Sequence, residues 1–315
     1  TLNGSINAVW VGQLLGETAL AATSNANLLM FFLFSAVFGI SMAAVILLGQ
    51  NLGAQRIDEA KKVIGTSTTF FFVLSVAIAV VGVVFSTDIL NLLGTPPDAL
   101  PLADVYTQIM LAGTPFMFGF NLITAVLRGA GDSKTPFYFL LLSAVLDVGL
   151  NPLLIMGYGP FPRMGIAGSA TATLIAQAVS VALLTAYLYG KRYFLRLTRS
   201  ELHLLRLNFQ IVMVLIRKGL PMGLSMVIVS LSNLFLIAIV NAYGSEAAAA
   251  FGAASQIASY VQMPALAIGG AATSMAAQNI GAGLWDRVSR ITRIGVGFNF
   301  LLTGALVAVL YLFNR

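Results

Sequence analysis

Residues 18–55 contain no Asp, Glu, Lys or Arg, and neither do residues 247–285. A helix rises 1.5 Å per residue, so about 20 apolar residues cross a hydrocarbon layer of ~30 Å. Either stretch is long enough to cross a bilayer and emerge. The rest of the chain has the same character: 58% of its residues are hydrophobic and only 9% are charged, against roughly 25% charged in a soluble domain. Such a chain cannot cover itself with polar side chains, and lipid is its natural solvent. The expected fold is an all-α integral membrane protein.

Nine helices are predicted. The first, about 1–14, is a partial span. The others are 20–54, 60–86, 102–128, 135–156, 164–190, 209–242, 246–281 and 287–313. Thr135-Pro136 reads as a cap with proline in the first turn, and Asp58 and Asp286 read as N-caps. Pro115, Pro152 and Pro264 fall inside spans, where a proline frees a carbonyl and kinks the helix. All of the 17 basic residues except Arg163 and Arg315 lie in or beside the loops after the second, fourth, sixth and eighth helices. The alternate loops hold Glu17, Asp88, Asp98, Asp104 and Glu246. Positive charge stays on the cytoplasmic side, so the even-numbered helices end there. No signal peptide is visible and Thr1 is not a methionine, so the chain reads as a fragment.

The inventory excludes several chemistries. There is no cysteine and the sole histidine, His203, lies in a basic loop, which rules out disulfides, thiolate metal sites and a Ser/His/Asp set. GAGDSKT lacks phosphate-loop spacing. The net charge of +6 follows membrane topology, so no nucleic-acid partner, no metal and no enzymatic activity is expected.

Shifting the sequence by 228 aligns it with itself. Gln50-Asn51-Leu52-Gly53-Ala54 falls on Gln278-Asn279-Ile280-Gly281-Ala282, Gly16 on Gly244, and Asp58 on Asp286. The copies end the second and eighth helices, an even offset of six, so both enter the membrane in one direction. That is a parallel repeat about an axis along the membrane normal, a form found in secondary transporters. The small residues Gly53 and Gly281 would let backbones approach, and the amides of Gln50 and Gln278 would satisfy each other at the cytoplasmic end.

Several motifs carry a resemblance. Gly49-Gln50-Asn51-Leu52-Gly53-Ala54, the stretch Leu127-Arg128-Gly129-Ala130-Gly131-Asp132-Ser133-Lys134-Thr135-Pro136, Asn151-Pro152-Leu153-Leu154-Ile155 and Gly165-Ile166-Ala167-Gly168-Ser169-Ala170 stand in this order. Together with Val11-Gly12 and Ala19-Leu20-Ala21-Ala22 they resemble the multidrug and toxic compound extrusion (MATE) family of antiporters. The resemblance implies two pseudo-twofold-related helical bundles that rock to alternate access. Family members have twelve helices, so the N-lobe here would be nearly complete and the C-lobe truncated. The expected division is 1–190 for helices 1–6, 191–208 for a basic cytoplasmic linker lying as a surface helix on anionic headgroups, and 209–315 for helices 7–9.

Only one acid sits mid-span. Asp147, in SAVLDVGLNPLLI, has apolar sequence on both sides. A charged Asp at the bilayer centre costs ~2.5–3.5 kcal/mol, which favours its protonated form and suits a proton carrier. Asn151, four residues on, shares its helix face and can hydrogen-bond the carboxyl. The resemblance points the same way, because some members carry an essential carboxylate and an asparagine four apart on helix 5, in the opposite order. Two departures matter. Asn7 stands where many members have an Asp, and Val229 stands where another branch has a Glu in helix 7. The first leaves coupling to Asp147 alone, and the second removes the C-lobe sodium site of that branch, which favours proton coupling through the N-lobe, as in the DinF-like branch. Asn121, Thr171, Gln256, Tyr260 and Met263 are further candidates for the coupling network or a substrate cavity, the last three as one cavity wall on the eighth helix.

The reading is a secondary antiporter exporting amphipathic, often cationic small molecules in exchange for protons. It needs no cofactor beyond the coupling ion, H+ or alternatively Na+. It is a monomer crossing a bacterial inner membrane many times. A lipid-linked precursor flippase of the same superfamily is the nearest rival, disfavoured because no Lys or Arg lies mid-span.

Overall fold

The computed structural model describes the backbone of residues 2–158, 161–241 and 243–312. Among these, eleven α-helices and one 3-10 helix follow in order, with no strand. They are α1 (Leu2–Leu15), α2 (Glu17–Gly53), α3 (Ile57–Val84), α4 (Ser86–Leu92), α5 (Leu100–Ala112), α6 (Thr114–Gly129), α7 (Lys134–Met156) and α8 (Ile166–Gly190). The 3-10 helix Arg199–Leu205, α9 (Phe209–Asn241), α10 (Ser245–Gly281) and α11 (Trp285–Leu312) complete the chain. The predicted ends at 1, 242 and 313, and Arg315, lie outside the described residues.

Each predicted helix has a counterpart, with one break. The span 102–128 is two helices, α5 and α6, meeting at 46°. Pro115 has no N–H to continue the ladder across Gly113, and it sits in the first turn of α6, where that loss is harmless. Pro152 and Pro264 instead lie inside helices that continue through them. The short α4 was not foreseen. Six helices (α2, α3, α7, α8, α9 and α11) are long and apolar enough to cross a membrane, and the α5–α6 pair makes a seventh. With 14 residues α1 is short of a span, and α10 is long but carries Ser255, Gln256, Ser259 and Gln262.

The caps also differ from expectation. Asp58 and Asp286 lie inside the first turns of α3 and α11, where an acid faces the positive helix end. At α7 the capping group is Asp132. Its Oδ1 accepts from the backbone N–H of Lys134 (3.1 Å) and Thr135 (3.0 Å), and its Oδ2 from the Thr135 hydroxyl (2.6 Å).

The repeat is written into the helix boundaries. Shifted by 228, α2 falls on α10 at both ends, and the starts of α3 and α11 coincide. Gly16 and Gly244 precede the long helices with φ of 86° and 99°. Both copies end alike: Gln55 N–H reaches Leu52 O and Arg56 N–H reaches Asn51 O, while Gly283 N–H reaches Ile280 O and Leu284 N–H reaches Asn279 O. This is the Schellman closure, whose residue after the cap is left-handed. Here that residue is Gly283 at φ 72° in one copy and Gln55 at φ 60° in the other.

The main core lies in the N-terminal bundle, where Val11, Ala22, Met30, Phe71, Leu90, Tyr106, Phe118 and Ile155 are buried together. α9 and α10 pack against α2, and α11 packs against α10. The α2–α9 crossing is glycine-built: a Cβ at Gly39 or Gly219 would overlap the backbone of the other helix. The linker is a 3-10 turn held on the N-terminal bundle, not a continuous surface helix. Lys61 Nζ pairs with Glu201 Oε1 at 2.6 Å, the Thr69 hydroxyl donates to Leu205 O at 2.6 Å, and Gly65 admits the Leu204 carbonyl. Thr198 and Glu201 form a capping box.

Candidate functional site

The N-terminal bundle brings α1, α7 and α8 together around Asp147. α7 and α8 form an antiparallel hairpin whose register is set near its turn, by Met164 N–H on Leu154 O (3.0 Å) and Gly165 N–H on Ile155 O (3.2 Å). At Gly168 a Cβ would meet the Leu154 carbonyl carbon at 2.6 Å, so only glycine admits this approach. Counting back along both helices from that contact places Asp147 level with Thr173.

Four side chains then close a ring. The Thr173 hydroxyl donates to Asp147 Oδ1 at 2.9 Å. Asn151 Nδ2 donates to Asp147 Oδ1 at 3.2 Å and to Asn7 Oδ1 at 2.9 Å. Asn7 Nδ2 donates to Thr173 Oγ1 at 2.9 Å, completing the circuit. Asp147 and Asn151 are 0% exposed, Asn7 4% and Thr173 6%. A buried polar network of this kind is stable only when its members are paired, and here two acceptors have no protein partner: Asp147 Oδ2 and Asn151 Oδ1. Oδ1 of the carboxyl is fixed by two donors, and Oδ2 is free to take a proton. Tyr106, 1% exposed, lies beside Asn7.

The ring joins three predicted residues, Asp147, Asn151 and Asn7. It also uses Thr173 in place of the predicted Thr171. Two residues along a helix is about 200° of rotation, so Thr171 turns away, half-buried, and makes no hydrogen bond to the ring. The hairpin count brings both threonines near the level of Asp147, and the close approach at Gly168 sets which of them meets it. Tyr106 was not foreseen. Asn121 is half-buried on α6 and makes no hydrogen bond to the ring. Gln256, Tyr260 and Met263 lie exposed along α10, Tyr260 at 59% and Met263 at 49%.

The repeated phrase forms a second cluster, at the C-terminal ends of α2 and α10. A Cβ at Gly53 would overlap the Gln278 carbonyl, and a Cβ at Gly281 would overlap the Gln50 carbonyl. Close backbone approach was expected, whereas amide pairing does not occur. Gln278 Nε2 donates instead to Gly129 O at 2.8 Å. Asn51 and Asn279 bond back to Leu47 O and Met275 O, each at 2.8 Å. For the two asparagines the intrahelical carbonyl four residues back is the nearer partner, whereas Gln278 reaches the end carbonyl of α6.

The family model described as MatE matches residues 2–153 and 221–315. A "probable multidrug resistance protein", YoeA of Bacillus subtilis (strain 168), is 41% identical over 97% of this chain, which spans 66% of that protein. A second from the same organism, YpnP, is 35% identical over 90% of this chain, which spans 62% of it. The chain thus spans somewhat less than two thirds of the relatives it matches. A solved structure titled "Crystal structure of MATE in the bent conformation" superposes with a TM-score of 0.89 at 23% identity, covering 99% of this chain and 68% of that one.

Proposed function

The chain belongs to the MATE family, and from that premise we propose that it works in a secondary antiporter that exports amphipathic, often cationic small molecules in exchange for protons. The observation that carries the coupling step is the Asp147 ring. It holds the one mid-span carboxyl fully buried, with one oxygen fixed by Thr173 and Asn151 and the other unpaired. In its neutral form the carboxyl carries its proton on Oδ2. Releasing that proton leaves a charge in an apolar setting, which is costly unless solvent or a cationic substrate reaches the site. Proton and cationic substrate would therefore exclude each other. Rocking of the two bundles would expose the ring to alternate sides, in a bacterial inner membrane with the Lys- and Arg-rich loops inside.

The test is substrate-dependent collapse of an imposed proton gradient in everted vesicles, with and without sodium. The full-length protein should collapse the gradient without sodium, and Asp147→Asn at equal expression should not. A strict need for sodium would replace protons with Na+ as the coupling ion. Wild-type behaviour of Asp147→Asn would place coupling elsewhere.

A further inference from the structure

We propose that the two copies of the repeated phrase form a latch that closes the carrier on the cytoplasmic face, and that its release is what opens the protein inward. This rests on the transporter reading above and adds to it the residues that hold the inner side shut. The contact is reciprocal: Gly53 receives the Gln278 carbonyl and Gly281 receives the Gln50 carbonyl. Gly49 lies against Ala277 in the same seam, where an added Cβ would stand 2.9 Å from the Ala277 Cβ.

A second set of bonds ties α10 to the end of α6. The Ser274 hydroxyl donates to Arg128 O, and Gln278 Nε2 donates to Gly129 O. The last carbonyls of a helix have no intrahelical partner; Arg128 O also accepts from Gly131 N–H, and Gln278 of α10 satisfies Gly129 O. Gly131, at φ 89°, turns the chain directly beneath the Gln278 amide, where a Cβ would stand 3.4 Å from Nε2. Asp132 follows and caps α7, the helix that carries Asp147. The latch therefore grips the turn from which the coupling helix starts. The close approaches of α2 and α10 lie at this end, at Gly49, Gly53 and Gly281.

These 315 residues hold no cysteine, so in the full-length protein, with any cysteine outside them replaced by serine, a single introduced one serves as a reporter. Ala277, 2% exposed in the seam, is replaced by Ala277→Cys in the full-length protein in everted vesicles. It is then labelled by a membrane-impermeant maleimide from the cytoplasmic face. The expected result is slow labelling, accelerated at least tenfold when Gly53→Ala or Gly281→Ala is added, because either methyl wedges the seam apart. Labelling that is equally slow with and without the wedge in folded, monodisperse protein overturns the latch. So does labelling that is already fast without it. The second arm pairs Gly49→Cys with Ala277→Cys. Oxidation should cross-link them and stop transport, and reductant should restore it. A protein that transports while cross-linked overturns the proposal. The labelling arm needs no transport, so it stands or falls separately from proton coupling.

Discussion

Thr173→Val probes the ring most directly, because valine keeps the shape of threonine and removes only the hydroxyl. Two ring bonds disappear, the 2.9 Å donation to Asp147 Oδ1 and the 2.9 Å acceptance from Asn7 Nδ2. Asn7 is 4% exposed, so its orphaned N–H costs ~1–3 kcal/mol. Asp147 Oδ1 keeps only the longer Asn151 contact of 3.2 Å, and losing its better donor costs a further ~1–2 kcal/mol. The expected destabilisation is ~2–5 kcal/mol, whereas Thr173→Ser, which keeps the hydroxyl, should cost about 1 kcal/mol for its lost methyl. The assay is equilibrium unfolding in mixed micelles, with Asn151→Leu as the second arm of a double-mutant cycle. Thr173 and Asn151 touch through Asn7 and Asp147 rather than each other, so a closed ring makes their effects less than additive by ~0.5–3 kcal/mol. Losses that add to within ~0.5 kcal/mol would refute the ring as a unit.

Other predictions are independent of it. Gln55 occupies a left-handed position, φ 60°, that glycine fills in the other copy, so Gln55→Gly should stabilise by about 1 kcal/mol, read by the same unfolding assay. The Lys61 ammonium, then the Thr198 backbone and hydroxyl, hold the Glu201 carboxyl down at about 2 against an ordinary 4.5. A depressed carboxyl contributes its stability above the ordinary value and loses it as pH falls toward the depressed one. The linker should accordingly stay docked on α3 above pH 4.5 and loosen between there and about 2, by about 1 kcal/mol after solvent screening. Hydrogen exchange across residues 191–208 at pH 3 and pH 6 measures it.

Much of this was legible because lipid allows few answers. Apolar runs had to be helices, so the helices could be read without tertiary knowledge. The Asp147–Asn151 pair was legible for a similar reason: an acid in an apolar run needs a partner, and its own helix supplies one four residues on. Contacts between helices were less so. Thr171 and Thr173 differ by two positions and point to opposite sides, and only the Leu154–Gly168 approach decides which meets Asp147. Asp132 rather than Thr135 caps α7 because the Gly131 turn aims its carboxyl at the free N–H groups. Pro115 marked a disturbance in the fourth span, yet the sequence did not tell a kink from the 46° break beside Gly113.

The repeat itself has a physical reason that the helix ends expose. In a contact across a two-fold axis, residue i meets j and the counterpart of i meets the counterpart of j. Gly53 meets Gln278 and Gly281 meets Gln50, and both pairs are related by the shift of 228. Each copy is therefore the receptor for the other, and the phrase works only when written twice. Glycine is required in both because each carbonyl occupies the space a Cβ would fill. This symmetry makes a quantitative demand. Gly53→Ala and Gly281→Ala place the same methyl against the same carbonyl, so they should weaken the closed contact equally, to within ~0.5 kcal/mol. The double variant should lose less than the sum, because the first methyl has already parted the helices that the second would meet. Paired unfolding measurements on the two single variants and the double decide it. If one glycine tolerates alanine and the other does not, the two halves are not equivalent receptors, and the symmetric account of the phrase fails.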